Sequence, residues 1–178
     1  MTPHTLDVIK TRRVIRNMTD QPVAREQLEQ ILAAGRWAPV GGNQRIHRFV
    51  AVQNPSLLRL LRMVSPGMFQ QPQAIILICI DREKVAANQS AATDRTPYID
   101  LGTAMQTMML AAHSIGLGSG PVTSFSKAAV RVILNLPPRL TPEVMVCIGH
   151  PAPSKQLPMR NKQKITWQSL TYWDRFEE

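Results

Sequence analysis

A chain of 178 residues suits one domain, and a hydrophobic content of 44% supplies a core large enough to exclude global disorder. The net charge of +9 favours an anionic partner, which leaves nucleic acid, anionic lipid or a phosphorylated small molecule. The basic residues are spread from Lys10 to Arg175 with no run longer than Arg12-Arg13, and aromatics are only 5%, a pattern unlike a dedicated nucleic-acid arm.

The opening residues lack the apolar stretch of a secretory leader, and the longest aliphatic run, Ala74 to Ile80, is too short to cross a bilayer. Cys79 and Cys147 each sit in an apolar run that reads as a strand, so buried reduced thiols and a cytoplasmic protein are expected. His4, His47, His113 and His150 are too dispersed for a metal-ligand spacing, and no metal is expected.

Residues 5–11 read as a short helix leading into Arg12-Arg13-Val14-Ile15-Arg16. After Pro22 a helix is expected to run to Trp37, with Leu28, Ile31, Leu32 and Gly35 on one face. Ala38-Pro39-Val40-Gly41-Gly42-Asn43 must break it, because Pro and paired Gly both stop helices. A strand from Phe49 to Gln53 and a short amphipathic helix from Asn54-Pro55 follow. Ala74 to Ile80, apolar on both faces, reads as a central strand.

The segment from Asp81 to Pro97 carries no pattern, and a long helix is expected from Tyr98. No Asp, Glu, Lys or Arg occurs between Asp100 and Lys127, so this helix must be buried, either in a core or against another subunit. Gly116-Leu117-Gly118-Ser119-Gly120 follows a helix rather than a strand, so it reads as a helix end and a tight turn, not a dinucleotide fingerprint. Ser126 is placed to cap a helix that Pro137-Pro138 closes, and Val144 to Ile148 reads as another buried strand. Few strands among many helices, without strict β-α-β alternation, imply one α+β layered domain spanning 1–178, with residues from about 151 forming an extended arm.

No Walker sequence, zinc signature, nucleophile elbow or carboxylate pair is present, so the hard chemistry points to a cofactor. Arg12-Arg13-x-x-Arg16 is the strongest cluster, since guanidinium groups grip phosphate by forked, charge-assisted hydrogen bonds; the same cluster also serves as a solvated face. The loop Pro39 to Asn43 lets a backbone approach a flat ligand closely, or is a plain connection.

In order, Arg12-Arg13-Val14-Ile15-Arg16, the helix closing on Ala34-Gly35-Arg36-Trp37-Ala38-Pro39, Gly41-Gly42-Asn43, Asp100-Leu101-Gly102-Thr103-Ala104-Met105-Gln106 and Ile148-Gly149-His150-Pro151 resemble the nitroreductase family of FMN proteins. The resemblance covers roughly Val8 to Ile165. It implies a nitroreductase-like fold, a central mixed or antiparallel sheet flanked by helices, in a homodimer with exchanged C-terminal arms and FMN at the interface. It also implies ping-pong hydride transfer from NADH or NADPH through FMN to an electron-poor acceptor such as a nitroaromatic or quinone. Residue by residue, it assigns the FMN phosphate to Arg12, helped by Arg13 with Val14 alongside, and to Arg160. Arg16 would face the N1/C2 edge of the flavin, and Thr123-Ser124 would bring a backbone N–H near N5. Pro39, Val40, Gly41 and Asn43 would touch the flavin from the other subunit, and Ser65 is a further cofactor-binding candidate. No side chain is assigned as a general acid or base.

The chain departs from the family pattern at three places. Val14 replaces a usual Ser, Arg45-Ile46-His47 replaces a usual Gln-Pro-Trp, and Thr107 replaces a usual Asn. The family also holds dehalogenases, peptide-ring dehydrogenases and a flavin-cleaving enzyme. An FMN carrier or sensor without turnover, and a basic nucleic-acid-binding domain, are the alternative functions.

Overall fold

The computed structural model describes residues 4–87, 95–153 and 165–176. The chain runs through α1 (Thr5–Thr11), α2 (Arg25–Trp37), a 3-10 turn at Gly41–Asn43, β1 (His47–Val52) and α3 (Pro55–Met63). It continues through β2 (Ala74–Asp81), α4 (Arg82–Ala87), α5 (Thr96–Ser114), β3 (Gly118–Val122), α6 (Lys127–Ile133) and β4 (Leu140–Gly149), and a second 3-10 turn lies at Gln168–Leu170.

The four strands form one sheet in the order β1-β2-β4-β3, every neighbouring pair antiparallel. The apolar run in β2 explains its position: all of its residues are buried because both faces are covered. Ile76, Ile78 and Ile80 face the core formed with α2 and α5, while Ile75, Leu77 and Cys79 face the one under α3 and α6. Alternation along a strand sends successive side chains to opposite faces, so one strand feeds both cores. Each such Ile or Leu side chain contributes about 1.5–3 kcal/mol by burial.

Local signals position the helices. Asn54 caps α3 by accepting from the Ser56 and Leu57 amides, with Pro55 in its first turn. Ser126 caps α6 through the Ala129 amide. α2 lies against α5 at Gly35, where an added Cβ would stand 2.2 Å from Met108 Cε.

Three expectations are corrected. The glycine run is a turn only at Gly116, whose φ is +79°; Gly118 onward is the edge strand β3, without the apolar side chains that mark a strand in sequence. A short helix, α4, occupies part of the segment that read as unpatterned. The long helix begins at Thr96, with Pro97 in its first turn, and not at Tyr98. Within one chain Ile99 is 64% exposed, and nothing lies within 4 Å of a Cβ placed on Gly102. Among the described residues no helix is long and apolar enough to cross a membrane.

Candidate functional site

The arginine cluster starts where α1 ends. Beyond Arg12 the chain extends along the free edge of β3, with a parallel bridge between Val14 and Ser119 and the Ile15 amide donating to the Ser119 carbonyl at 2.9 Å. The glycines of β3 permit this approach. A Cβ on Gly118 would stand 2.8 Å from Ile15 Cγ2, and one on Gly120 would stand 2.4 Å from Gln70 Nε2. Farther on, the Thr19 amide donates to the His150 carbonyl at 2.9 Å, and the Ala152 amide to the Asn17 carbonyl at 3.0 Å.

The three arginines have different surroundings. Arg12 Nη1 is buried with no hydrogen-bond partner. Arg13 Nη1 instead donates to the Lys10 and Arg12 carbonyls, at 2.6 and 2.8 Å, closing the end of α1. Arg16 is exposed. Arg160 lies outside the described residues.

The far end of β3 meets the turn after α3. The Gly67 amide donates to the Ser124 carbonyl at 3.2 Å and the Ser126 amide to the Val64 carbonyl at 2.9 Å. Thr123 and Ser124 are exposed just beyond the strand. Ser65 is 2% exposed, and its hydroxyl donates inward to the Leu61 carbonyl at 2.7 Å. Its oxygen thus supports the turn from within.

The Pro39–Asn43 loop stands at the opposite end of α5. Thr103 Oγ1 lies 2.9 Å from the Pro39 carbonyl and 2.7 Å from the Asp100 backbone carbonyl, either of which can accept its one proton, and the Gly41 amide donates to both Asp100 carboxylate oxygens, at 3.0 and 3.1 Å. Three residues here adopt left-handed backbone: Gly42 at φ +56°, Asn43 at +55° and Arg45 at +48°. Gly tolerates that region and Asn tolerates it better than most, so the paired glycine and Asn43 have a conformational reason to be here.

Val40 joins Gly35, Arg36, Arg45, His47 and Phe49 around a cavity of about 250 Å³. His47 stacks with Phe49 at 6.5 Å, and its Nε2 is buried without a partner. Burial pushes the His47 pKa down, opposed by a hydrogen bond to the Pro97 backbone and by the Asp100 charge. Arg45 turns back to the Arg36 carbonyl, and Ile46 is buried.

Arg12, Arg13, Val14, Arg16, Ser65, Thr123 and Ser124 therefore flank β3, whereas Pro39, Val40, Gly41 and Asn43 gather at the start of α5. Thr11 Oγ1 lies 2.9 Å from His113 Nε2, which puts the arginines at the other end of that helix. Asp100 and His113 are thirteen residues apart on α5, about 20 Å at the helical rise. The two groups do not meet within one chain.

Two buried polar residues near these groups had no role from the sequence. Gln70 is 2% exposed with Oε1 unpartnered, and it lies against Gly120 beside Val14 and Ile15. A Gln between two proline-flanked turns carries no sequence signal for burial. Asp100, 6% exposed, opens the charge-free helix, and its isolation as the last charge before Lys127 was the available hint.

A buried guanidinium nitrogen without an acceptor is costly unless an anion completes it, so the surroundings of Arg12 fit a phosphate-bearing cofactor such as FMN. The comparisons agree with this chemistry. The profile of the nitroreductase family matches residues 9–74 and 61–150. The FMN reductase [NAD(P)H] of Bacillus subtilis is 30% identical, over 96% of this chain and 76% of that protein. The NADPH-flavin oxidoreductase of Vibrio harveyi is 27% identical, over 83% of this chain and 66% of that protein. The crystal structure of a nitroreductase family protein from Clostridium difficile superposes with a TM-score of 0.82 at 26% identity, covering 98% of this chain and 99% of that one. The chain belongs to the nitroreductase family.

Proposed function

We propose that this protein is an NAD(P)H-dependent oxidoreductase that holds FMN between the two subunits of a homodimer and delivers electrons to an electron-poor acceptor such as a quinone or nitroaromatic. The observation that carries the reading is Arg12 Nη1, a buried cationic donor whose missing acceptor a flavin phosphate supplies. When bound, FMN accepts a hydride from the nicotinamide and passes reducing equivalents on. The chain's own task is to bind and orient. Arg12 and Arg160 hold the phosphate, and Arg16 presents positive charge to the N1/C2 edge of the ring. The Thr123-Ser124 turn offers a backbone N–H near N5, and the Pro39–Asn43 loop of the other subunit covers the ring.

Several features support the dimer. One chain keeps its two candidate groups about 20 Å apart, so a second copy is needed to bring them to one ligand. Ile99 and the open side of Gly102 leave part of α5 uncovered, and Trp167 and Trp173 are exposed at 61% and 76%, as suits an arm that packs on a partner. Cys79 and Cys147 are free and buried, which suits the reducing cytoplasm.

The test is steady-state NADH and NADPH oxidation by the yellow, FMN-loaded protein with a quinone and with a nitroarene. Turnover with an acceptor supports the reading. A flavin-loaded protein that oxidises neither nicotinamide is a carrier, and a colourless protein that shifts nucleic acid in a salt-dependent manner refutes the flavin assignment.

A further inference from the structure

We propose that Asp100 is a positioning residue that acts, through the Gly41 amide, on the flavin held by the other subunit. The inference rests on the reading above, in which the Pro39–Asn43 loop of one protomer meets the FMN gripped by Arg12 of its partner.

Local preference alone does not hold the loop's shape. Gly42 and Asn43 tolerate positive φ, but Arg45 carries it too, a region that residues of its kind populate only when their surroundings impose it. Two side chains of α5 provide the constraint. Thr103 Oγ1 reaches the Pro39 carbonyl at 2.9 Å, sharing its proton with the Asp100 backbone carbonyl at 2.7 Å, and the Asp100 carboxylate receives the Gly41 N–H at 3.0 and 3.1 Å. Asp100 is nearly fully buried, so this charge-assisted bond is shielded from water and from salt. Gly41 also fits tightly over the same helix, since a Cβ there would stand 3.0 Å from Thr96 Cγ2.

A buried carboxylate is an expensive anchor for one backbone amide, and the requirement for it lies in what the loop presents. Asp100 is buried where it holds the Gly41 amide, while Gly41, Gly42 and Asn43 are exposed. Its influence on the cofactor therefore passes through loop shape. Within its own subunit it is separated from the Arg12 segment by most of α5, so the affected cofactor is the partner's.

Three proteins test this: wild type, Asp100→Ala and Asp100→Asn, each stripped of flavin and titrated with FMN by fluorescence quenching. Asp100→Ala should lose roughly tenfold or more in affinity, the scale of a charge-assisted hydrogen bond. Asp100→Asn, whose Oδ1 accepts the same N–H, should recover most of it. Melting of the flavin-free dimers reports any general loss of fold. Asp100→Ser, too short to reach the Gly41 amide, takes the place of Asp100→Ala if that variant does not fold.

Mixed dimers carrying Arg12→Ala on one chain and Asp100→Ala on the other then decide between action across the interface and action within the chain. Action across it puts both lesions in one site, leaving one FMN per dimer bound with wild-type affinity. Two weakened sites and none of wild-type affinity overturn the proposal. So does wild-type affinity in Asp100→Ala, or an equal loss in Asp100→Asn, while wild-type protein takes up FMN normally. Wild-type protein that takes up no FMN instead overturns the flavin reading on which the inference stands.

Discussion

Thr11 Oγ1 and His113 Nε2 stand 2.9 Å apart, a link that ties the end of α1 to the last turn of α5. Arg12 follows at once, and its buried, unpartnered Nη1 is thereby held on a rigid base. Arg12→Ala should weaken FMN by about ten- to a hundred-fold, the range for a charge-assisted contact to phosphate, while riboflavin binding barely changes. Arg160→Ala should behave alike. Calorimetric titration with both ligands checks this, and equal losses for FMN and riboflavin would show that the arginines act elsewhere.

Arg16 should tune the flavin rather than merely hold it. It is exposed beside the edge of β3, free to face a ligand there. A fixed cation near the N1/C2 edge favours the reduced ring over the oxidised one, because reduction gathers negative charge at that edge. Arg16→Ala should lower the two-electron midpoint potential by roughly 20–40 mV, corresponding to about 1–2 kcal/mol of lost differential stabilisation. Redox titration of the FMN-saturated variant measures it; a potential within error of wild type removes Arg16 from the mechanism.

The contact of Gly35 with Met108 sets the spacing of α2 and α5. An added Cβ would lie 2.2 Å from Met108 Cε and 2.9 Å from Cγ, so more than the tip of the side chain must move. Overpacking of this kind costs about 1–3 kcal/mol, against a gain of up to about 1 kcal/mol from Ala in a helix. Gly35→Ala should therefore destabilise the protein by roughly 1–2 kcal/mol in urea unfolding. In a Met108→Ala background the same change should become neutral or stabilising, and additive losses in that double-mutant cycle would contradict the packing argument.

Cys79 and Cys147 should be silent in the native state. Burial pushes both thiols up to about 12 from an ordinary 9.0. A raised folded-state pKa means the native protein keeps protons that the unfolded chain releases. The resulting stability is fully present below about pH 9 and is lost as pH rises from there towards 12. Replacing both residues with Ala should flatten this alkaline decline in urea midpoints. At mildly alkaline pH a disulfide thiol reagent should label neither cysteine until the chain unfolds, and rapid labelling of the folded protein would show that they are accessible.

Much of this protein is legible in its residues. The all-apolar run of β2 identifies a central strand by itself, and the charge-free stretch after Asp100 identifies a helix that needs cover. The ordered motifs from Arg12 to Pro151 carry the family, and with it the arginines and the Pro39–Asn43 loop as site candidates. These signals are local: hydrophobic period, glycine and proline placement, and charge within a few residues.

The rest depends on residues far apart in the chain. β3 has almost no side-chain pattern because Gly118 and Gly120 are there to admit Ile15 and Gln70, and that requirement exists only once segment 14–15 lies on the strand. The order β1-β2-β4-β3 rests on pairings between strands far apart in the chain, β2 with β4 above all. Gly41 and Asp100, 59 residues apart, are joined by a hydrogen bond that no local rule anticipates. Side-chain period and turn chemistry are properties of neighbouring residues, so the sequence determined most of the elements and the motifs that carry the family. Burial, register and the partnering of polar groups are properties of the packed whole, so only the tertiary structure decided that Arg12 and the Pro39–Asn43 loop stand at opposite ends of one helix.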